Sequence, residues 1–136
     1  MIVDMQKTIL LVDDDEEEFF IIKLALEMAE FDCRCVWANG LDQATKMIKE
    51  FQPDFVFIDI NMPRYDGICC LKRLKQLEQL EKLRQAVFVI YSTYISETDY
   101  NKALHLGASC CLHKPENINT LLKQLVRLFS DKAHYS

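Results

Sequence analysis

The stretch Thr8-Ile9-Leu10-Leu11-Val12-Asp13-Asp14-Asp15 decides how the rest of the chain reads. Apolar and β-branched side chains run without a break and then give way abruptly to carboxylates. A continuous apolar run of strand length, rather than an alternating one, suits a strand covered on both faces. Doubly covered strands belong to parallel α/β sheets, whose carboxyl ends gather at one edge where ligands bind. Asp13 and Asp14 are therefore expected at a functional edge.

Working outward, four more short and mostly apolar runs follow, at Cys33–Trp37, Asp54–Ile58, Val87–Tyr91 and Ser109–Leu112. With Thr8–Val12 they alternate with amphipathic stretches, so the chain reads as five β/α units. Phe19, Ile22, Leu26 and Ala29 fall at helical spacing, as do Leu41, Ala44, Ile48 and Phe51, and each set buries one helical face. Ile118, Leu121, Leu122, Leu125 and Phe129 repeat the pattern at the end of the chain. Tyr100, Ala103 and Leu104 mark a shorter helix that stops at Gly107, a residue suited to a left-handed cap.

The third helix is less regular. Leu71, Leu74, Leu77, Leu80 and Leu83 recur every three residues and so drift about 60° round an α-helix at each step. Either the helix breaks near Gln79 or its far end runs into a longer, partly exposed connection. The domain is expected over residues 8–130, with tails at 1–7 and 131–136, and no second, output domain is expected after it.

Composition limits the function classes. A chain of 136 residues with 50% hydrophobic and 27% charged residues is one ordered globular domain. The net charge of −5 and the scattered Lys and Arg argue against direct nucleic-acid binding. Apolar runs such as Ile9–Val12 are too short for a membrane span or signal core, so a cytoplasmic location without membrane insertion is expected. The six cysteines come as close pairs, Cys33/Cys35, Cys69/Cys70 and Cys110/Cys111, with no C-x-x-C spacing. They read as reduced small hydrophobes; His113 beside Cys110 and Cys111 does not complete a zinc pattern.

The polar residues carry the chemistry. Asp13 and Asp14 follow the first strand, Asp59 the third, Ser92 the fourth and Lys114 the fifth. All should converge on the carboxyl edge. Clustered carboxylates repel and so recruit a cation. Mg²⁺ suits them, because it takes oxygen ligands and keeps open positions for water or a phosphoryl oxygen. Lys114 adds a positive charge and Ser92 a hydroxyl donor, a set suited to phosphoryl transfer onto a carboxylate.

Leu11-Val12-Asp13-Asp14-Asp15, Ile58-Asp59-Ile60-Asn61-Met62-Pro63 with Asp66-Gly67, Ser92-Thr93 and Lys114-Pro115 together resemble the receiver family of two-component response regulators. The resemblance implies a doubly wound, flavodoxin-like five-stranded parallel sheet of order 2-1-3-4-5 with five helices. It implies that Asp59 accepts the phosphoryl group, that Asp14, Asp59 and the Asn61 backbone carbonyl bind Mg²⁺ directly, and that Asp13 acts through a metal-bound water. Ser92 matches the switch hydroxyl and Lys114 the phosphate-pairing lysine, with a cis peptide expected before Pro115. Asp15 is expected to start the first helix, and Gly67 to serve a backbone role in the loop after the third strand. A sensor histidine kinase or phosphotransfer protein as donor, a downstream protein target and a possible homodimer follow from the same resemblance, as does a single-domain switch rather than an enzyme.

The pattern departs in one place. The family carries Tyr or Phe three residues before the lysine, and here that position is Cys111. Tyr91, Tyr94 and Tyr100 are the nearby rings that offer a substitute, with core or surface packing the role expected of each. Tyr94, two residues past Ser92, occupies a position that overlies the phosphoryl group in the family, and its bulk implies a longer phosphoryl lifetime. Two other classes compete: a receiver-like adaptor that docks constitutively, and an aspartate-nucleophile phosphohydrolase. The latter usually carries Asp-x-Asp, whereas the residue two past Asp59 is Asn61, which cannot serve as general acid.

Overall fold

The computed structural model describes residues 6–64 and 66–130. The strands are β1 (Lys7–Val12), β2 (Cys33–Ala38), β3 (Phe55–Ile58), β4 (Val87–Ser92) and β5 (Cys110–His113). The helices are α1 (Glu16–Met28), α2 (Leu41–Phe51), α3 (Gly67–Leu80), α4 (Glu97–His105) and α5 (Ile118–Ser130). All strand pairs are parallel, in the order β2-β1-β3-β4-β5. This is the expected doubly wound fold. The expected tails fall outside the described residues except for Gln6 and Lys7, and Lys7 opens β1.

Why the strands are apolar throughout is visible in how they distribute their side chains. Ile9, Leu11, Phe55, Phe57, Val87, Val89 and Tyr91 face one layer, where they meet Ile22 and Leu26 of α1 and Leu121 and Leu125 of α5. Leu10, Val12, Val56, Ile58, Phe88 and Ile90 face the other, against Ile48 of α2, Leu71 and Leu74 of α3 and Ala103 of α4. Alternate residues thus serve two cores, and neither face of the central strands tolerates a polar residue.

Side-chain caps fix where helices begin. Asp15 accepts from Glu17 N–H at 3.0 Å, Asp66 from Ile68 N–H at 2.9 Å and Ser96 from Asp99 N–H at 3.0 Å. Asp15 therefore starts α1, as its sequence context implied. At the end of α4, Gly107 has φ 108°, its N–H donates to the Leu104 carbonyl and Ala108 N–H donates to that of Ala103. This pair of bonds is a Schellman cap. The third helix resolves its irregular leucines by ending at Leu80, whose side chain is 81% exposed; Leu71 and Leu74 are buried, while Leu77 and Leu83 pack at the rim.

The topology positions the site through its register. Chain order reverses at β1, which has β2 on one side and β3 on the other. Val12 lies level with both Ala38 and Ile58. The residues just past the strands stay tied to the ladder: Asp13 N–H donates to the Ala38 carbonyl, Asp59 N–H to that of Val12 and Lys114 N–H to that of Ser92, at 3.0, 3.0 and 2.9 Å. The polar residues at these ends are therefore held by backbone bonds.

Candidate functional site

Asp13 and Asp59 sit side by side above β1 and β3, and both are buried. Their carboxylates share one cation. Lys114 Nζ lies 2.7 Å from Asp13 Oδ2 and 3.0 Å from Asp59 Oδ2, spanning from the end of β5. The other oxygen of Asp59, Oδ1, accepts from the Ser92 hydroxyl at 2.7 Å and from the Asn61 N–H at 2.8 Å. Asp13 Oδ1 accepts from Asp15 N–H at 3.0 Å. Asp14 is exposed beside this pair, and oxygens of Asp13, Asp14 and Asp59 lie within 4.8 Å of one another. The structure thus brings together all six residues that the sequence singled out.

Burial pushes the Asp13 carboxyl up to about 6, against the lowering effect of Lys114 and the Asp15 N–H. Burial also disfavours the Lys114 ammonium, but its bonds to Asp13 and Asp59 outweigh that and hold it above the ordinary lysine value. At neutral pH the two therefore form an ion pair. Three carboxylate side chains facing one lysine leave an excess of negative charge. Their all-oxygen donor set fits a hard divalent ion such as Mg²⁺ and offers none of the sulfur or imidazole ligands that zinc favours.

Two further residues complete the surroundings, and neither was singled out in the sequence. Glu18, one helical turn past Asp14, reaches within 3.8 Å of Lys114 Nζ, and burial raises its pKa. Trp37 of β2 donates its indole N–H to the Asp13 carbonyl at 2.7 Å and stacks on Phe19 of α1. An indole in a half-buried strand needs an acceptor, which was the available signal for Trp37. The close spacing of Glu18 to Asp14 was the signal for Glu18.

Gly67 explains how α3 comes so close to Asp59. A Cβ there would lie 2.5 Å from the Asp59 carbonyl oxygen. The expected backbone role is therefore one of close approach, at the first residue of α3 rather than in the preceding loop.

One expectation changes. No peptide bond among the described residues is cis, so Lys114–Pro115 is trans. Trans is favoured by about 0.5–1 kcal/mol at such bonds, and Lys114 reaches both carboxylates from it. Tyr91 lies on the α1/α5 side of the sheet, whereas Cys111 faces the opposite layer. The Tyr91 ring instead lies beneath Lys114, with Nζ 5.9 Å from its centroid. Tyr94 and Tyr100 are exposed, Tyr94 by 67%. The six cysteines are free thiols. Burial pushes Cys33, Cys35 and Cys70 up to about 12 and Cys111 to about 11, so these four stay protonated. Among the described residues no helix is long and apolar enough to cross a membrane.

Comparison with known proteins shows the family and the fold. Residues 9–126 match the family described as response regulator receiver domain. The chain is 32% identical over 121 residues to the chemotaxis protein CheY of Bacillus subtilis, covering 89% of this chain and 96% of that protein. It is 34% identical over 113 residues to the response regulator GtcR of Aneurinibacillus migulanus, covering 83% and 43%. The chain spans half the length or less of several curated relatives that it matches. Among solved structures, a response regulator in red light signaling of R. palustris superposes with a TM-score of 0.79 at 24% identity, covering 96% of each chain.

Proposed function

The chain belongs to the response regulator receiver family, and from that premise we propose that it is a phosphoacceptor switch in which Asp59 takes a phosphoryl group from a sensor histidine kinase or phosphotransfer protein. The observation that carries this reading is the pairing at Asp59. One carboxylate oxygen faces Lys114, the other faces Ser92 and the Asn61 N–H, and Asp13 and Asp14 stand beside it. That arrangement supplies a nucleophile, a metal-binding set and two donors for phosphoryl oxygens.

In this reading Asp14, Asp59 and the Asn61 backbone carbonyl would hold Mg²⁺, and Asp13 would act through a water. The ion would supply positive charge to offset the carboxylates and the phosphoryl oxygens. A carboxylate oxygen of Asp59 attacks phosphorus, the P–N bond to the donor histidine breaks, and the imidazole leaves with a proton. Lys114 then exchanges its contact with Asp59 for a phosphoryl oxygen, and Ser92 donates to another. The added charge biases a two-state equilibrium that a downstream protein reads. We further propose a cytoplasmic regulator, with a possible homodimer, whose receiver domain catalyses at most its own phosphorylation and dephosphorylation.

The test is incubation with a small phosphodonor, with and without Mg²⁺, followed by intact mass. One added phosphoryl group that requires Mg²⁺ and is absent from Asp59→Asn is expected. Equal labelling of that variant would overturn the assignment.

A further inference from the structure

Asn61 makes contacts that its backbone role does not require. Its side-chain Nδ2 lies 2.6 Å from Ser92 Oγ and 2.8 Å from the Tyr94 carbonyl oxygen. The Tyr94 carbonyl can only accept, so the amide nitrogen must face it, and the two amide hydrogens serve these two acceptors. Ser92 Oγ, receiving from Asn61, keeps its own proton for Asp59 Oδ1 at 2.7 Å. The same Oδ1 accepts from the Asn61 backbone N–H at 2.8 Å. The bonds close a ring from Asn61 through Ser92 to Asp59 and back to Asn61. Ser92 is fully buried, so no bulk water competes for its hydroxyl.

We propose that the Asn61 side chain is a positioning residue that holds the Ser92 hydroxyl on Asp59, and the β4–α4 loop at Tyr94, before any phosphoryl group is attached. The inference rests on the phosphoacceptor reading of Asp59 and adds how its switch is set. Ser92 then needs no large movement to reach a phosphoryl oxygen. The loop is already drawn toward the acceptor, and Asn61 determines how far the inward arrangement prevails. Cys111, which is small and faces the α4 layer, brings no aromatic ring whose reorientation would oppose that preset arrangement. Each of the two side-chain bonds favours the inward state about fivefold.

The test compares backbone amide NMR spectra of the full chain with Mg²⁺, before and after adding beryllofluoride, a phosphoryl mimic. The wild type and Asn61→Ala are measured; Asn61→Asp, which keeps the shape but cannot donate, serves as a second variant. In the wild type, beryllofluoride should shift amides next to Asp59 strongly and those of Thr93, Tyr94 and Ile95 little. In both variants those three amides should move before the mimic is added, and the mimic should then shift them at least about twice as far as in wild type. Equal loop shifts in wild type and variants would overturn the inference while leaving the phosphoacceptor reading intact. Absence of any shift beside Asp59 would overturn both.

Discussion

Replacing Gly67 with alanine adds a Cβ 2.5 Å from the carbonyl oxygen of Asp59 and closer still to the Cα of Ile60. Both obstacles are backbone, so neither can swing aside. Ordinary contact begins near 3.4 Å, and the start of α3 must therefore separate from the Asp59–Ile60 segment by roughly 1 Å. Overpacking of this kind costs about 1–3 kcal/mol. Alanine regains up to about 1 kcal/mol as the better helix former, less at the first helical residue, so the clash wins. A net loss of about 1–2 kcal/mol is expected in urea unfolding. The functional loss should be larger, because the displaced segment carries the acceptor carboxylate and a shift of about 1 Å can cost about a hundredfold in rate. The assay is the Mg²⁺-dependent rate of phosphorylation by a small phosphodonor, measured where the variant remains folded. Unchanged stability together with an unchanged rate would refute the close-approach argument.

Lys114→Met leaves the buried carboxylates of Asp13 and Asp59 without their shared cation, and without Mg²⁺ near neutral pH it should destabilise the fold by about 3 kcal/mol. The loss should shrink in acid, where the carboxyls are neutral; a pH-independent loss in chemical denaturation would contradict this. Asp13, held at about 6 by burial, binds its proton more tightly when folded than unfolded. Its stabilising contribution is therefore full below about pH 4 and lost as pH rises through about 6. A divalent ion bound beside Asp13 would favour its ionised form, so the rise in Tm on adding Mg²⁺ should be greater at about pH 8 than at about pH 5, and an equal rise would count against the scheme. Trp37→Phe keeps a ring against Phe19 but removes the hydrogen bond to the Asp13 carbonyl. It should weaken Mg²⁺ binding about fivefold by calorimetry. In the wild type, Trp37 emission should respond to Mg²⁺, and a silent signal would refute the coupling.

Much of the fold was legible because the core is two-sided. Runs such as Leu10–Val12 and Val87–Ile90 have no polar break, and that alone marks strands covered on both faces. The ends of the strands were legible for the same reason, since the first carboxylate or hydroxyl marks the sheet edge. The third helix was ambiguous because leucines every three residues serve two environments: Leu71 and Leu74 in the core, and Leu80 in solvent. The site was readable as residue types, whereas its cross-links were not. Trp37 to Asp13, Asn61 to Ser92 and Lys114 to Glu18 each join residues remote in sequence, and no local pattern encodes such a meeting. Glu78 is a similar case. It is buried within α3 and accepts the Ala86 N–H at 2.9 Å, fixing the connection into β4 where the sequence shows only a charged helix residue.

The most direct measurement on the central claim is the position and chemistry of the phosphoryl linkage. After labelling with a small phosphodonor and Mg²⁺, borohydride reduction converts an aspartyl phosphate to homoserine, which peptide mass spectrometry locates. Homoserine at position 59, in place of Asp59, and at no other carboxylate is the expected result. Homoserine at Asp13 or Asp14 instead, or an acid-stable phosphate ester on Ser92, would contradict the account.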